Sequence, residues 1–181
     1  MKRFAIVSSL VALAVSATAC DAVRENHHPV CDVRSPTILM AESVKTAALI
    51  PCVRSLPIGW AFESFSARDG VSTFGLDSEV GGRSALDVTF RRTCRSVGTE
   101  ADSGRAGVRL VRNVQSSDPY RATWTYTFDG GCAVLALAFA PGAPVGRLLR
   151  DVRTGMSFLP RATLDRTLER QQGRGLGPAS A

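Results

Sequence analysis

Five cysteines carry most of the chemistry that can be read from this chain: Cys20, Cys31, Cys52, Cys94 and Cys132. Cys20 stands directly after a long uncharged stretch. The other four are spread widely, with no CxxC pair and no histidine at ligand spacing, which argues against a structural zinc site. In an oxidising compartment an even number of cysteines reads as two disulfides. Three pairings are open. Sequential pairing, Cys31 with Cys52 and Cys94 with Cys132, closes the shorter loops and is preferred. Each bridge would stabilise by roughly 2–4 kcal/mol, chiefly through the unfolded chain. With all four paired, the domain holds no thiolate nucleophile.

The remaining reactive side chains are few. His27 and His28 are the only histidines, and they adjoin in a polar segment. Ser-His-Asp and Cys-His catalysis are thereby excluded from the body of the chain, as is histidine-bound zinc. Adjacent histidines in a tether do not form a ready-made metal site, so no metal and no cofactor is expected. Gly81-Gly82 and Gly130-Gly131 read as hairpin turns, without the Lys-Ser/Thr or strand-to-helix setting of a phosphate loop. Glu63, Asp77, Asp87 and Asp129 lie on or beside predicted strands. Two of them facing each other across a cleft would permit carboxylate-based glycan hydrolysis. The plainer reading is that strand alternation puts them in water, and no catalytic residue is assigned.

Two larger groups are ambiguous in the same way. Trp60, Phe62, Trp124, Tyr126 and Phe128 can form an aromatic binding face or the core of a small sheet. Arg147, Arg150, Arg153, Arg161, Arg166, Arg170 and Arg174 can meet an anionic lipid or envelope polymer. Nearby acids and helical spacing favour a solvated face for these arginines.

The address of the protein is clearer. Met1-Lys2-Arg3 is a short positive start, and residues 4–19 carry no charge. The apolar run from Ala5 to Val15 is short for a membrane span, which takes about 20 residues. It exits through the small residues Ala17-Thr18-Ala19, completing the three parts of a secretory signal. With Cys20 next, the segment resembles the signal of bacterial lipoproteins. The resemblance covers the first 20 residues and matches the domain to no named family. It implies cleavage before Cys20 and a diacylglyceryl group on its thiol. Two acyl chains suffice for a stable anchor where one is marginal. Two alternatives stay open: Ala17-Thr18-Ala19 also fits an ordinary signal-peptidase site, which would release a secreted chain, and the apolar run could be retained as an anchor.

On this reading, residues 1–19 are signal, 20–30 the lipidated cysteine and tether, 31–172 a single domain, and 173–181 a Gly-rich disordered tail. Removing Lys2 and Arg3 leaves 20 basic against 16 acidic side chains. So modest and dispersed an excess does not indicate a nucleic-acid partner. The expected location is the extracytoplasmic face of a cell membrane.

Within the domain, Pro51 and Pro57 bracket a segment that predicts one short helical turn, and residues 38–50 carry no decisive period. Trp60 to Ser66 and Val71 to Ser78 read as strands about an Arg68-Asp69-Gly70 turn. Leu86, Val88 and Phe90 alternate with Asp87, Thr89 and Arg91, a half-buried strand. Residues 95–107 predict an exposed loop, and Val108 to Val114 a strand. Trp124, Tyr126 and Phe128 alternate with threonines up to Asp129-Gly130-Gly131. The return from Cys132 to Ala140, apolar on both faces, predicts a central, covered strand. Val145, Leu148, Leu149 and Val152 fall at helical spacing between Pro144 and Gly155, and Leu164 and Leu168 follow Pro160 in a second helix. The expected class is α+β: a twisted antiparallel sheet, two C-terminal helices on one face, and two disulfides. An anchor joined to a domain without catalytic apparatus leads to a non-enzymatic ligand- or protein-binding module of the envelope. A carboxylate-based hydrolase of envelope glycan, and an assembly partner of a membrane complex, are the alternatives.

Overall fold

The computed structural model describes residues 28–177; the signal, Cys20, His27 and residues 178–181 lie outside the described residues. The element order is α1 (Ser35–Ser43), β1 (Leu49–Val53), β2 (Trp60–Arg68), β3 (Val71–Ser78), β4 (Gly82–Arg91), β5 (Thr99–Ala101), β6 (Arg109–Ser117), β7 (Tyr120–Phe128), β8 (Gly131–Ala138), α2 (Val145–Gly155), β9 (Met156–Pro160) and α3 (Arg161–Gln172). Seven strands form one antiparallel sheet in the order β2-β3-β4-β8-β7-β6-β5, and β1 pairs with β9 in a separate two-stranded ribbon. The expected α+β arrangement is present, with both C-terminal helices and both disulfides.

The sheet is two meanders joined edge to edge. β2, β3 and β4 follow one another through tight turns, as do β6, β7 and β8, while a longer loop joins β5 to β6, and β4 then pairs with β8. Residues alternate between faces along each strand. Leu86, Val88 and Phe90 of β4, Leu135 and Leu137 of β8, and Trp124 of β7 are buried on the inner face. Met40 and Val44 of α1, Ile50 of β1, Leu148 and Val152 of α2, and Leu164 and Leu168 of α3 join them in one core. Each such side chain fully withdrawn from water stabilises by roughly 1.5–3 kcal/mol.

The turn between β7 and β8 shows why a glycine is needed where it stands. Gly130 has φ 65°, and a Cβ there would lie 1.8 Å from the Thr46 carbonyl oxygen. The approach is tied down from the other side: Thr46 Oγ1 donates to the Gly130 carbonyl at 2.6 Å, and the Ala48 N–H donates to the Asp129 carbonyl at 2.9 Å. The segment between α1 and β1 is thus clamped to the hairpin turn.

β8 occupies the middle of the seven-strand order, as its apolar sequence predicts. It is covered throughout on the inner face, where the helices pack, and only in part on the outer: Leu135 and Leu137 are buried, Ala136 between them is exposed, and Cys132 at the strand's start is buried. Opposite, the chain leaving β4 must pass β8, β7 and β6 to reach β5. The Cys94–Cys132 disulfide pins that crossing at β8. Thr125 and Val111, in outward register along its route, are only 4 % and 5 % exposed.

Two predictions are corrected, one before the sheet and one within it. Pro51 to Val53 do not form a helical turn but belong to β1, with Pro51 opposite Phe158. A proline is tolerated there because a strand of a two-stranded ribbon is an edge, where a missing N–H costs little. The partner strand β9, between two correctly placed helices, carries no period of its own in five residues. Residues 95–107 likewise include the short β5.

The ends of the described chain are held. Val30 lies beside Val53, and the Cys31 N–H donates to the Val53 carbonyl at 3.1 Å, next to the Cys31–Cys52 disulfide. After α3, Gly173 takes the left-handed conformation (φ 66°) that closes a helix C-terminus. The described part of the tail then folds back: the Leu176 N–H donates to Asp165 and the Gly177 N–H to Glu42.

Candidate functional site

The four carboxylates singled out by sequence separate into a cluster of three and one outlier. Glu63 of β2, Asp77 of β3 and Asp87 of β4 meet on the outer face around Gly75. Gly75 is paired with both Ser64 and Asp87, and β2 bulges between Phe62 and Ser64. A Cβ at residue 75 would stand 3.0 Å from Asp87 Oδ1, Glu63 Oε2 and Ser64 Oγ, so the carboxylates fill the space the glycine leaves. Ser84, at φ 46°, donates its N–H to Asp77 at 2.7 Å and its hydroxyl to Glu63 at 3.0 Å. Partial burial, then the charges of Glu63 and Asp77, push the Asp87 carboxyl above the ordinary aspartate range. Asp129 is in the β7–β8 turn, toward the other end of the sheet.

The aromatic set is mainly core. Trp60, Trp124 and Phe128 are buried, and Phe62 and Tyr126 pack against them partly buried. The Trp60 indole N–H donates to Asp151 at 3.3 Å. His28 packs its ring against Phe62, with centroids 6.2 Å apart. Burial lowers its pKa, and Arg34 lowers it further. Among the described residues no group of three or more His, Cys, Asp or Glu side chains is arranged to hold a metal. No helix among them is long and apolar enough to cross a membrane.

The C-terminal arginines do not gather on one face. Arg161 donates to the Ala41 carbonyl at 2.7 Å and is partly buried, which lowers its pKa. Arg166 and Arg170 bond carbonyls of their own helix. Arg147 lies 3.8 Å from Asp151. Arg153 behaves differently: its guanidinium sits 5.4 Å from the centre of the Trp124 ring. Arg112 of β6 lies over the same ring at 4.7 Å, and its Nε is buried without a partner.

Beside this pair opens a cleft of about 280 Å³ between α2, β9, the inner sheet face and the loop after β5. Its floor is Tyr126, Leu135, Val152, Met156 and Phe158. Its rim carries Arg54, Arg105 and Arg153, with Ser103 and Ser157 between them. The three arginines come from three places: the end of β1, the loop after β5, and the last turn of α2. Arg54 donates to Ser157 Oγ at 3.2 Å, and Arg105 to the Phe158 carbonyl at 2.8 Å. Each guanidinium carries five N–H donors, so most are left over. Among the described residues no carboxylate lies within 4.0 Å of Arg54, Arg105, Arg112 or Arg153, and neither Asp, Glu nor His lines the cleft. The Tyr126 ring packs on Phe158 at 5.1 Å. Burial raises the Tyr126 pKa, while nearby Arg112 and Arg153 act to lower it. The phenol therefore stays protonated at neutral pH and is available as a hydrogen-bond donor beside two cations.

Sequence reading named Tyr126 and Arg153 in separate groups and missed Arg54, Arg105 and Arg112. One signal was available for Arg112. It falls in phase with Leu110 and Val114 on β6, so a strand burying Leu110 must also carry a guanidinium inward. Arg54 and Arg105 lie in irregular segments, where no period says which way a side chain points. The chain matches no protein-family model, no curated protein and no solved structure.

Proposed function

We propose that this chain is a lipid-anchored, non-enzymatic binding module of the bacterial cell envelope, and that its ligand occupies the arginine-rimmed cleft. The observation that carries this reading is the cleft itself: an apolar floor under convergent, unpaired polar groups, the usual make-up of a small-molecule site. Anchoring through Cys20 rests on the signal-like first 20 residues and agrees with a domain whose other cysteines are all paired.

Backbone amide shifts, followed during titration with a set of anionic, cationic and neutral fragments, test the cleft. Shifts centred on Tyr126, Arg153 and Met156 support it. Shifts centred elsewhere, or none with any fragment, overturn it. The anchor is tested separately by membrane partition and intact mass beside a Cys20→Ser variant. Diacyl mass on a chain beginning at Cys20 supports it; a soluble, unlipidated chain does not.

A second reading, a carboxylate-based hydrolase of envelope glycan, draws on the raised pKa of Asp87 beside Glu63 and Asp77. A carboxyl whose pKa is raised near a second carboxylate is one element of glycan cleavage. Turnover of envelope glycan that disappears in Asp87→Asn would favour it over the binding module.

A further inference from the structure

We infer that the cleft takes a phosphate monoester carrying an apolar or aromatic group, with the phosphate on the arginine rim and the apolar part on the floor. This rests on the reading of the cleft as the binding site and goes further by naming the ligand's chemistry. The charge balance selects an anion. Three guanidiniums line the rim and Arg112 stands just behind it, with no acidic side chain in the lining. Guanidiniums that hydrogen-bond oxyanions are strong, geometrically specific partners.

The directions of approach select the shape. Arg54, Arg105 and Arg153 reach the rim from three separate elements, so their donors converge from different sides. A planar carboxylate is served well by one guanidinium in its own plane. A tetrahedral dianion presents oxygens in several directions and matches several guanidiniums at once. Ser157 adds a neutral hydroxyl at the same level, the Ser103 hydroxyl being committed to the Val108 carbonyl, and Tyr126 adds a phenol from below.

The floor selects the rest of the molecule. The half-buried Tyr126, Met156 and Phe158 form the accessible floor, with Leu135 and Val152 buried beneath them, and they offer nothing polar to a sugar or a free inorganic ion beyond that one phenol. An aryl or acyl group fills such a surface. Arg105 already lies 5.8 Å from the Phe158 ring centre, so the rim and floor are continuous.

Such a group has two possible sources, a soluble aryl phosphate or the headgroup of a lipid phosphate monoester, and they are distinguished by parallel arms of one experiment. The chain from Asp21 onward, retaining Val30 beside Val53, both disulfides and the tail, is titrated with naphthyl phosphate, naphthyl sulfate, naphthoate and naphthyl alcohol, following Trp124 emission in a Trp60→Phe background. The second arm measures its sedimentation with neutral vesicles containing phosphatidic acid, against vesicles with an equal charge of phosphatidylglycerol. The expected result is a preference of at least about tenfold for the phosphate monoester over the sulfate, carboxylate and alcohol, in one arm or both. Binding should strengthen as pH rises from about 5 to about 7.5, because the second ionisation of a phosphate ester lies near 6 and no carboxylate or histidine lines the cleft.

Arg153→Met and Arg105→Gln should each weaken binding at least about tenfold. Arg105 is on an exposed loop, so its variant keeps the test sound should Arg153→Met disturb the packing on Trp124. Equal binding of the sulfate or carboxylate, a flat pH profile, or full affinity in Arg105→Gln overturns the inference. If a neutral or cationic fragment moves the cleft amides while no phosphate monoester binds, the binding-site reading stands and the ligand class falls. If nothing moves those amides, both fall.

Discussion

Like charges gather twice in this domain, and the two gatherings are built differently. On the outer face, Glu63 and Asp87 flank Gly75 with Asp77 nearby, and Ser84 serves two of the three, its N–H donating to Asp77 and its hydroxyl to Glu63. On the inner face, Arg54, Arg105, Arg112 and Arg153 stand over a cleft with most of their donors unused. The acidic cluster closes on itself in water. The basic one is stabilised by aromatic faces and carbonyls that neutralise none of its charge. A cluster of one sign points to a ligand when its hydrogen-bonding capacity is unspent and a cavity adjoins it. The arginines meet both conditions together, three of them lining one cleft; of the acids, Asp77 lines a cavity of about 390 Å³ that it shares with Glu79 and Arg83, without Glu63 or Asp87.

The largest expected effect falls on the side chain that both arginines share. Trp124→Ala removes a nearly inaccessible indole from the core and the platform for Arg112 and Arg153. Loss of a large buried aromatic costs about 3–5 kcal/mol. Urea denaturation should show a loss in that range; under 1 kcal/mol would mean the ring is not the support described. The outer cluster has no such keystone, and Gly75→Ala should leave stability within about 1 kcal/mol, because the atoms it meets are the ends of side chains that can move aside.

A smaller effect, of the opposite sign, is expected at Arg112. Its Nε is buried without a partner, and a buried unsatisfied donor costs roughly 1–3 kcal/mol. The contact with Trp124 returns about 0.5–1 kcal/mol of this. Arg112→Met, which keeps an unbranched side chain on the indole, should therefore hold or raise stability of the ligand-free domain by up to about 1 kcal/mol. If the same variant also weakens anion binding, the residue is retained for the ligand rather than the fold. A drop of several kcal/mol would instead make Arg112 a structural element of the inner face.

The smallest effect belongs to the acidic cluster. Because the folded-state pKa of Asp87 is raised above its unfolded value, the native state binds a proton more readily than the unfolded chain does. This group therefore contributes added stability as pH falls through its raised pKa, and the contribution levels off below the ordinary aspartate range. Asp87→Asn should remove that acid-side gain and raise stability at neutral pH by less than about 1 kcal/mol, as expected for a largely solvated charge. Stability profiles against pH for the two proteins, superimposable between pH 7 and 3, would show that the three carboxylates do not interact.

Legibility from sequence followed the reach of each signal. The helices after Pro144 and Pro160 begin where their prolines and apolar spacing put them, and Leu148, Val152, Leu164 and Leu168 are inward as predicted. The hairpins at Asp69-Gly70 and Asp129-Gly130 were readable because turn chemistry is local. β1 and β9 were not, because five residues containing a proline have no local reason to be extended; pairing across about 100 positions of sequence supplies it. The covering of β8 is complete on the inner face and partial on the outer, because an apolar run states what can be buried but not how far a layer extends to bury it.

Sequence alone determined the α+β class, the positions of the sheet's main strands and a preference for pairing Cys31 with Cys52 and Cys94 with Cys132, which the structure contains. All of these rest on composition, short spacings or one-dimensional periods. Only the tertiary structure decided that Glu63, Asp77 and Asp87 belong together, and that Arg54, Arg105 and Arg153 meet over Tyr126 and Phe158. Those groups are drawn from three strands in one case and from a strand end, a loop and a helix in the other. No spacing along the chain encodes a convergence that exists only once the sheet is paired and α2 and β9 are laid across its inner face.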